Sequence, residues 1–241
     1  ESSRISRNEK LSVKKSSDGK LLENLSFAKI LFDNGLREML LAGDVVTKGP
    51  IHMNQISIAM ADSRYWKRGD LLISARNLNS IFLYNPSSNE IVWYQQGPWM
   101  NQHSARFVDD HRISVFDNNV FNYSGRQFVT DADINRVFVY DFDTKEATQP
   151  FAALLAEAKP RSLTEGRAQV LPDGGLFFEE TNSGRHLRFT KDRLLWSRIN
   201  YYDKEKIGMV AWSRYYTADE IQPKLQALAD RQCEKTLFST R

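Results

Sequence analysis

Short apolar stretches separated by polar turns recur in three units along the chain, and these units begin at His52, His103 and Arg167. Within each unit, four runs rich in β-branched and aromatic residues are bounded by Asp, Asn, Gly or Pro, which is typical of short strands joined by tight turns. The pattern predicts four antiparallel strands per unit. A polar insertion at Phe121–Asn135 lengthens the second unit.

The spacing of the units indicates one architecture. They begin about 50 to 65 residues apart, and four strands in roughly 40 to 50 residues form one blade of a β-propeller. A plain antiparallel sandwich with fortuitous spacing is the alternative. We therefore predict an all-β fold with a few surface helices, namely a β-propeller of four-stranded blades of which about three and a half are present.

The segments around the units complete the domain organisation. Residues 1–23 are interpreted as the end of a preceding blade, 24–50 as a helical insertion, 51–216 as three propeller blades and 217–241 as a C-terminal helix and tail. Because a closed propeller needs at least about four blades, we expect upstream sequence to complete the ring.

Apolar periodicity and capping residues predict elements outside the repeated strands. Asn24 fits the N-cap of the first helix, and Gly35 separates that helix from the next. The predicted strands are Lys10–Lys15 and Lys20–Leu22, and the predicted helices are Leu25–Phe32, Leu36–Leu41, Phe151–Lys159 and Ala218–Cys233.

Composition and charge exclude several classes of protein. The 33 basic residues nearly balance the 30 acidic ones, so nothing indicates the basic face that nucleic acid requires. Cys233 is the single cysteine, which excludes a disulfide framework and a thiolate metal cluster. No apolar run is long enough for a membrane span, and no signal peptide is recognisable in this chain.

The repeat also brings candidate chemistry together. In a propeller the first strand of each blade lines the central channel, so His52, His103 and Arg167 are expected to face one another there. Histidine can donate hydrogen bonds, accept a proton, bind metal or act as a nucleophile. Two channel histidines without chemistry are the plainer alternative. His111, in a hairpin turn, and His186, inside a strand, are expected to be surface or packing residues.

Arginines predicted to lie near these histidines favour a role in chemistry over two channel histidines without chemistry. Guanidinium groups bind tetrahedral oxyanions through paired hydrogen bonds, and Arg76 ends the second strand of the first unit while Asn54 lies just beyond His52. Two histidines, two arginines and an asparagine, with no carboxylate required, favour an anion-transfer pocket over a hydrolytic metal site.

The motifs around these residues resemble those of the PAPS-independent bacterial arylsulfotransferases, which are six-bladed β-propellers. The resemblance covers roughly residues 10–216 of this chain. The matching segments are Ile51–Asn54 (IHMN), Gly69–Asn77 (GDLLISARN), Gln102–Ala105 (QHSA), Ser114–Asn118 (SVFDN), Gly166–Pro172 (GRAQVLP), Phe178–Arg185 (FEETNSGR) and Trp212–Tyr215 (WSRY).

The resemblance implies a ping-pong transfer of a sulfuryl group from an aryl sulfate donor to a phenolic acceptor. In that family the histidine of the Gln-His motif, here His103, carries the group as a sulfohistidine. His52, Asn54 and Arg76 would bind the sulfate oxygens, and no metal or other cofactor is needed. Asn77 is a further candidate for substrate binding.

Arg167 is also a candidate substrate-binding residue, suggested by the repeat alone. The family uses another histidine from an earlier blade, which this chain lacks. Family members are often exported, so a periplasmic or otherwise exported location is expected, and an open sheet edge also allows a homo-oligomer.

Two other functions stay open at this point. The first is a calcium-dependent, lactonase-like hydrolase, whose ion would be held by oxygen ligands such as Asn54, Asn118 and Glu180. The second is a propeller that binds a ligand without turning it over.

Overall fold

Antiparallel strands make up most of the part of the chain that the structure describes. The computed structural model describes residues 10–14, 20–41, 49–123, 126–129 and 134–229. A two-stranded sheet of β1 (Lys10–Lys14) and β2 (Leu21–Ser26) comes first, followed by helices α1 (Phe27–Asp33) and α2 (Glu38–Leu41).

Three four-stranded antiparallel sheets follow, one for each predicted unit. The first contains β3 (Met53–Ile58), β4 (Leu71–Ala75), β5 (Ser80–Asn85) and β6 (Glu90–Gln96). The second contains β7 (His103–Phe107), β8 (Arg112–Asp117), β11 (Arg136–Asp141) and β12 (Glu146–Thr148), with a separate hairpin of β9 (Val120–Tyr123) and β10 (Arg126–Val129) between its middle strands. The third contains β13 (Arg167–Val170), β14 (Leu176–Glu180), β15 (Arg185–Phe189) and β16 (Leu194–Ile199).

Strand order within each sheet follows chain order, as in the blades of a propeller. The middle strands are largely buried because other elements pack on them: the second sheet lies between the first and the third, and β1 and α1 cover the far face of the first. Strand β5 is buried at every position from Ser80 to Tyr84, whereas the outer strand β6 alternates between exposed and half-buried residues. The predicted all-β fold with several four-stranded antiparallel sheets is confirmed.

Apolar layers between the sheets hold them face to face. Between the first and second sheets, Trp66, Leu72 and Trp99 are buried in one cluster. Phe116 and Phe178 pack between the second and third sheets with ring centroids 5.0 Å apart. Each large side chain buried in this way contributes about 1.5–3 kcal/mol to folding. The first strands of neighbouring sheets, β3, β7 and β13, consequently lie side by side.

Helices cover the outside of the sheets. Helix α1 packs Phe27 against Phe82 of the first sheet, with ring centroids 5.3 Å apart. The helix α3 (Ala152–Ala158) buries Leu155 against the core of the third sheet. The last helix, α4 (Ala218–Ala229), contains Pro223 and has no buried residue.

Two expectations for the first helix had different outcomes. Asn24 is not its N-cap, because β2 continues to Ser26 and the Oγ of Ser26 accepts the cap hydrogen bond from Lys29 N at 3.3 Å. Gly35 does separate α1 from α2, and its φ of +73° suits glycine. Lys15 and Cys233 lie outside the described residues.

Candidate active site

The starts of the three inner strands meet at one cavity of about 220 Å³. His52 directly precedes β3, His103 begins β7 and Arg167 begins β13, and all three line this cavity together with Asn54 and Trp212. Residues far apart in sequence become neighbours here because equivalent positions of a repeated unit face the same centre.

Backbone irregularities occur at equivalent places in β3 and β7. The register of β3 shifts between Met53 and Gln55, and that of β7 shifts between His103 and Arg106. His52 and Ser104 both have left-handed φ angles, of 52° and 47°. Such bulges re-aim side chains and are common beside active sites.

A hydrogen bond to Asn118 defines the protonation of the His103 ring. The ring Nδ1 lies 2.6 Å from Asn118 Oδ1. The Asn118 amide nitrogen donates to the carbonyls of Ser162 at 3.0 Å and Glu165 at 2.7 Å, which fixes the amide with its oxygen toward the ring. Nδ1 therefore carries the hydrogen, and the lone pair resides on Nε2.

His103 is neutral at physiological pH. Its pKa is lowered to about 4, mainly by burial and to a smaller extent by the charges of Arg76 and His52, while the hydrogen bonds with Asn118 and with the Asn101 backbone oppose the shift. A neutral imidazole with a fixed tautomer presents one nucleophilic nitrogen.

Arg76 is not part of the cavity lining, but it lies close enough for its charge to act on the His103 ring. It opens the single 3₁₀ turn after β4, where its backbone N–H donates to His52 O at 2.9 Å. Burial lowers the pKa of the guanidinium group, and no described carboxylate forms an ion pair with it. An unpaired buried cation of this kind is suited to an anionic ligand.

The two asparagines predicted to bind substrate differ in their contacts. Asn54 lines the cavity and donates through Nδ2 to Gln102 O at 2.7 Å, which links the first and second sheets, while its buried Oδ1 has no hydrogen-bond partner among the described residues. Asn77 is absent from the cavity lining. Its Nδ2 donates to Gly49 O at 2.7 Å and its Oδ1 accepts from Arg76 at 3.0 Å, so it holds the loop before His52.

Arg167 contributes a second buried guanidinium group, only 7% exposed. Its Nε and Nη1 have no hydrogen-bond partner among the described residues, and its Cζ lies 4.6 Å from the centre of the Trp212 ring. Burial lowers the pKa of Arg167, whereas the carboxylate of Glu179 opposes the shift.

The other two histidines do not line the cavity. His111 occupies the turn between β7 and β8, at the opposite end of these strands from His103, and its Nδ1 pairs with Asp110 at 2.7 Å. Its side chain is half-buried rather than fully exposed. His186 stacks on Phe177 with ring centroids 5.6 Å apart and pairs through Nε2 with Ser213 Oγ at 2.7 Å.

Two of the three residues considered as calcium ligands, Asn118 and Glu180, are engaged elsewhere, and of the three it is Asn54 that lines the cavity. Asn118 Oδ1 faces His103, as described above. Glu180 Oε2 accepts from Arg185 Nε at 2.6 Å, and neither Asn118 nor Glu180 lines the cavity. This arrangement weighs against the calcium-dependent hydrolase.

A family model described as "Arylsulfotransferase (ASST)" matches residues 8–200 of the sequence. The chain belongs to the arylsulfotransferase (ASST) family. This family is a β-propeller, so the three four-stranded sheets are its blades. A comparison with curated proteins found no match. Among the described residues, no helix combines the length and hydrophobicity needed to cross a membrane.

Several contributors to the site were missed from the sequence. Asn118 was considered only as a calcium ligand, although its motif directly follows β8. Trp212 belongs to a family-like motif (WSRY), which was the one available signal for it. Arg214, whose charge acts on Arg167, belongs to the same motif, whereas Arg106 carried no signal of its own.

Proposed function

We propose that this chain carries the sulfuryl-transfer site of an arylsulfate sulfotransferase, with His103 as the nucleophile. The observation that carries the proposal is the placement of that ring: its Nδ1 is held by Asn118, and it lines a cavity bordered by Arg167. Burial and the nearby charge of Arg76, which lower the pKa of the ring, support the same role. Membership of the arylsulfotransferase family supports the same reaction class.

The reaction proceeds in two half-reactions. The lone pair on Nε2 of His103 attacks the sulfur of an aryl sulfate, the N–S bond forms, and the S–O bond to the aryl group breaks with its electron pair leaving on the phenolate. A phenolic acceptor then attacks the sulfur, and the N–S bond electrons return to Nε2. The departing phenolate takes up one proton to become the released phenol, and the hydroxyl of the acceptor loses one proton when it forms the new sulfate ester. Atoms and charge therefore balance over the two half-reactions.

Cationic and polar donors stabilise the transferring group. Arg76 and His52 lie next to the nucleophile, and one N–H of the Asn54 amide stays available because the other is used by Gln102 O. Removing one preorganised donor of this type typically slows a reaction by about 10² to 10³-fold.

Pre-steady-state kinetics of the purified full-length protein test the proposal. Mixing with 4-nitrophenyl sulfate is expected to release a burst of 4-nitrophenol stoichiometric with active sites, and added phenol is expected to accelerate the slow phase that follows. The His103→Asn variant should lose the burst. The His111→Asn variant is the matched control, because the same substitution is made at the far end of β7. Equal bursts in both variants would refute the role of His103.

A further inference from the structure

We propose that Arg106, Arg167 and Arg214 form an anion-binding subsite beside the transfer pocket, which takes a carboxylate carried on the ring of an aryl substrate. That the ligand is an aryl substrate rests on the proposed sulfuryl transfer. That the subsite binds an anion rests on the arrangement of the side chains in the channel.

Three arginines from three parts of the fold interact through their charges, and Arg167 among them lines the transfer cavity. Arg106 follows His103 by three positions on β7, Arg167 begins β13 and Arg214 lies in the segment after β16. Their charges are close enough to interact: those of Arg167 and Arg214 add to burial in lowering the pKa of Arg106 to about 10. Clustered cations repel one another, so the arrangement is costly without an anion.

None of these guanidinium groups has a described hydrogen bond or ion pair that compensates its charge. Arg167 is the clearest case, since its Nε and Nη1 are buried and unpartnered although it lines the cavity. Glu179 lines the same cavity, but its carboxylate accepts hydrogen bonds from Thr181 Oγ1 at 3.0 Å and Ser213 N at 2.5 Å rather than from Arg167.

Arg106 does not line the transfer cavity but borders a second one, which Asp109 and Asp110 also line. A third carboxylate of that cavity, Asp62, accepts a hydrogen bond from Arg68 N at 2.8 Å. These carboxylates are engaged by their own neighbours, because Asp109 pairs with Arg112 at 2.5 Å and Asp110 pairs with His111 at 2.7 Å. Glu179 partly offsets the charge of Arg167, but none of these described carboxylates forms an ion pair with the three arginines. The buried Nε and Nη1 of Arg167 therefore remain open to an anionic ligand in the cavity.

Aromatic surfaces beside the arginines favour an aryl ligand. The Trp212 ring covers one face of the Arg167 guanidinium, lines the cavity and is 64% exposed. Tyr216, 40% exposed, lies near Arg106. A phenol that bears a carboxylate places its ring against such surfaces and its charge against the guanidinium forks, which bind carboxylates through two hydrogen bonds.

The test compares two acceptors that differ only in charge, 4-hydroxybenzoate and 4-hydroxybenzamide, with 4-nitrophenyl sulfate as the donor. The kcat/KM for each acceptor is measured in the wild-type protein, in Arg167→Gln and Arg106→Gln, and in the control Arg64→Gln. Arg64 is 70% exposed and pairs with Asp143 on the outside of the sheets, so its loss changes net charge equally. For each protein we take the ratio of the two kcat/KM values and compare this ratio between variants. The comparison cancels the intrinsic difference in reactivity between the two acceptors.

We expect Arg167→Gln and Arg106→Gln to lower the ratio of kcat/KM for 4-hydroxybenzoate to kcat/KM for 4-hydroxybenzamide by at least about tenfold, because a charge-assisted hydrogen bond is lost. Arg64→Gln should leave the ratio unchanged. Equal losses for both acceptors would overturn the proposal, since they would mean that the arginines act on the transferring sulfuryl group.

Titration calorimetry separates failure of the subsite from failure of the proposed function. If the protein transfers to neither acceptor, the proposed reaction fails, and the subsite is then decided by binding alone. Tighter binding of 4-hydroxybenzoate than of 4-hydroxybenzamide by the wild-type protein, lost in Arg167→Gln, would support the subsite. Equal binding of the two compounds would refute it.

Discussion

The buried, neutral His103 leads to a specific prediction about acid. A nucleophilic histidine with an ordinary pKa near 6.5 would be mostly protonated and inactive at pH 5.5. With its pKa lowered to about 4 by burial, the neutral fraction at pH 5.5 is about 97%, compared with about 9% for an unperturbed ring. The first half-reaction should therefore keep nearly its full rate at pH 5.5, a difference of about tenfold from the unperturbed case.

Rapid mixing with 4-nitrophenyl sulfate measures this directly, because the charge of the donor does not change in the range. The burst rate constant is followed from pH 8 down to pH 4, with product read at the isosbestic wavelength of 4-nitrophenol. The rate is expected to fall only as the pH approaches about 4. A loss of rate centred near pH 6.5 would refute the reasoning about burial.

Asn118→Asp provides the matching perturbation. The exchange is nearly isosteric and sets a carboxylate where the amide oxygen now lies, 2.6 Å from Nδ1. Its second oxygen loses the hydrogen bonds to Ser162 O and Glu165 O, so the pH profile is measured on variant protein whose folding has been verified. An adjacent opposite charge favours the protonated ring, so the pKa of His103 should rise by about 1 to 3 units and the acid limb of the burst should move toward neutral pH. An unchanged profile would show that Asn118 does not contact the reacting ring.

The remaining predictions concern one catalytic donor and two structural features. His52→Asn should slow both half-reactions by about 10² to 10³-fold without abolishing them. Asparagine tolerates the left-handed φ of 52° at this position, so a slower rate would not be caused by backbone strain. Unchanged burst and turnover rates would contradict a catalytic role for His52. Lowering the pH from 7 to 4 should reduce the free energy of unfolding of the wild-type protein by up to about 3 kcal/mol more than that of His103→Gln, because the unfolded ring binds a proton below about pH 6.5 and the folded ring only near pH 4. Chemical denaturation at both pH values measures the difference, and equal losses of free energy in the two proteins would contradict it. Gly166→Ala should destabilise the fold by about 2 kcal/mol or more, because Gly166 has φ +101° and a Cβ there would overlap the Phe116 ring. Gly174→Ala is the control, since its φ of +78° imposes similar backbone strain with no atom near the added Cβ. Equal losses of stability in the two variants would assign the effect to the backbone alone.

The sequence predicted the parts of this structure that depend on local pattern. Alternation and turn residues located the strands, and the equivalence of repeated units brought His52, His103 and Arg167 to one place. The N-cap of α1 was predicted two residues too early, because capping signals do not reveal that β2 continues without a break into the helix.

The partners of the site residues depend on long-range packing, which a single sequence does not contain. Asn118 orients His103 only because its amide meets the carbonyls of Ser162 and Glu165, which are 44 and 47 residues away in sequence. The arginine cluster arises in the same way, since Arg106 and Arg214 come from separate segments that meet only when the sheets stack.

Mass spectrometry of the trapped intermediate tests the central claim most directly. After the full-length protein is mixed with 4-nitrophenyl sulfate and quenched under basic conditions, digestion should yield a peptide containing Gln102, His103 and Ser104 that carries an acid-labile sulfuryl group. Fragmentation should assign the group to His103, and subsequent addition of phenol should remove it. A protein that turns over without forming this adduct, or that carries the group on Ser104, would contradict the assignment of His103 as the nucleophile.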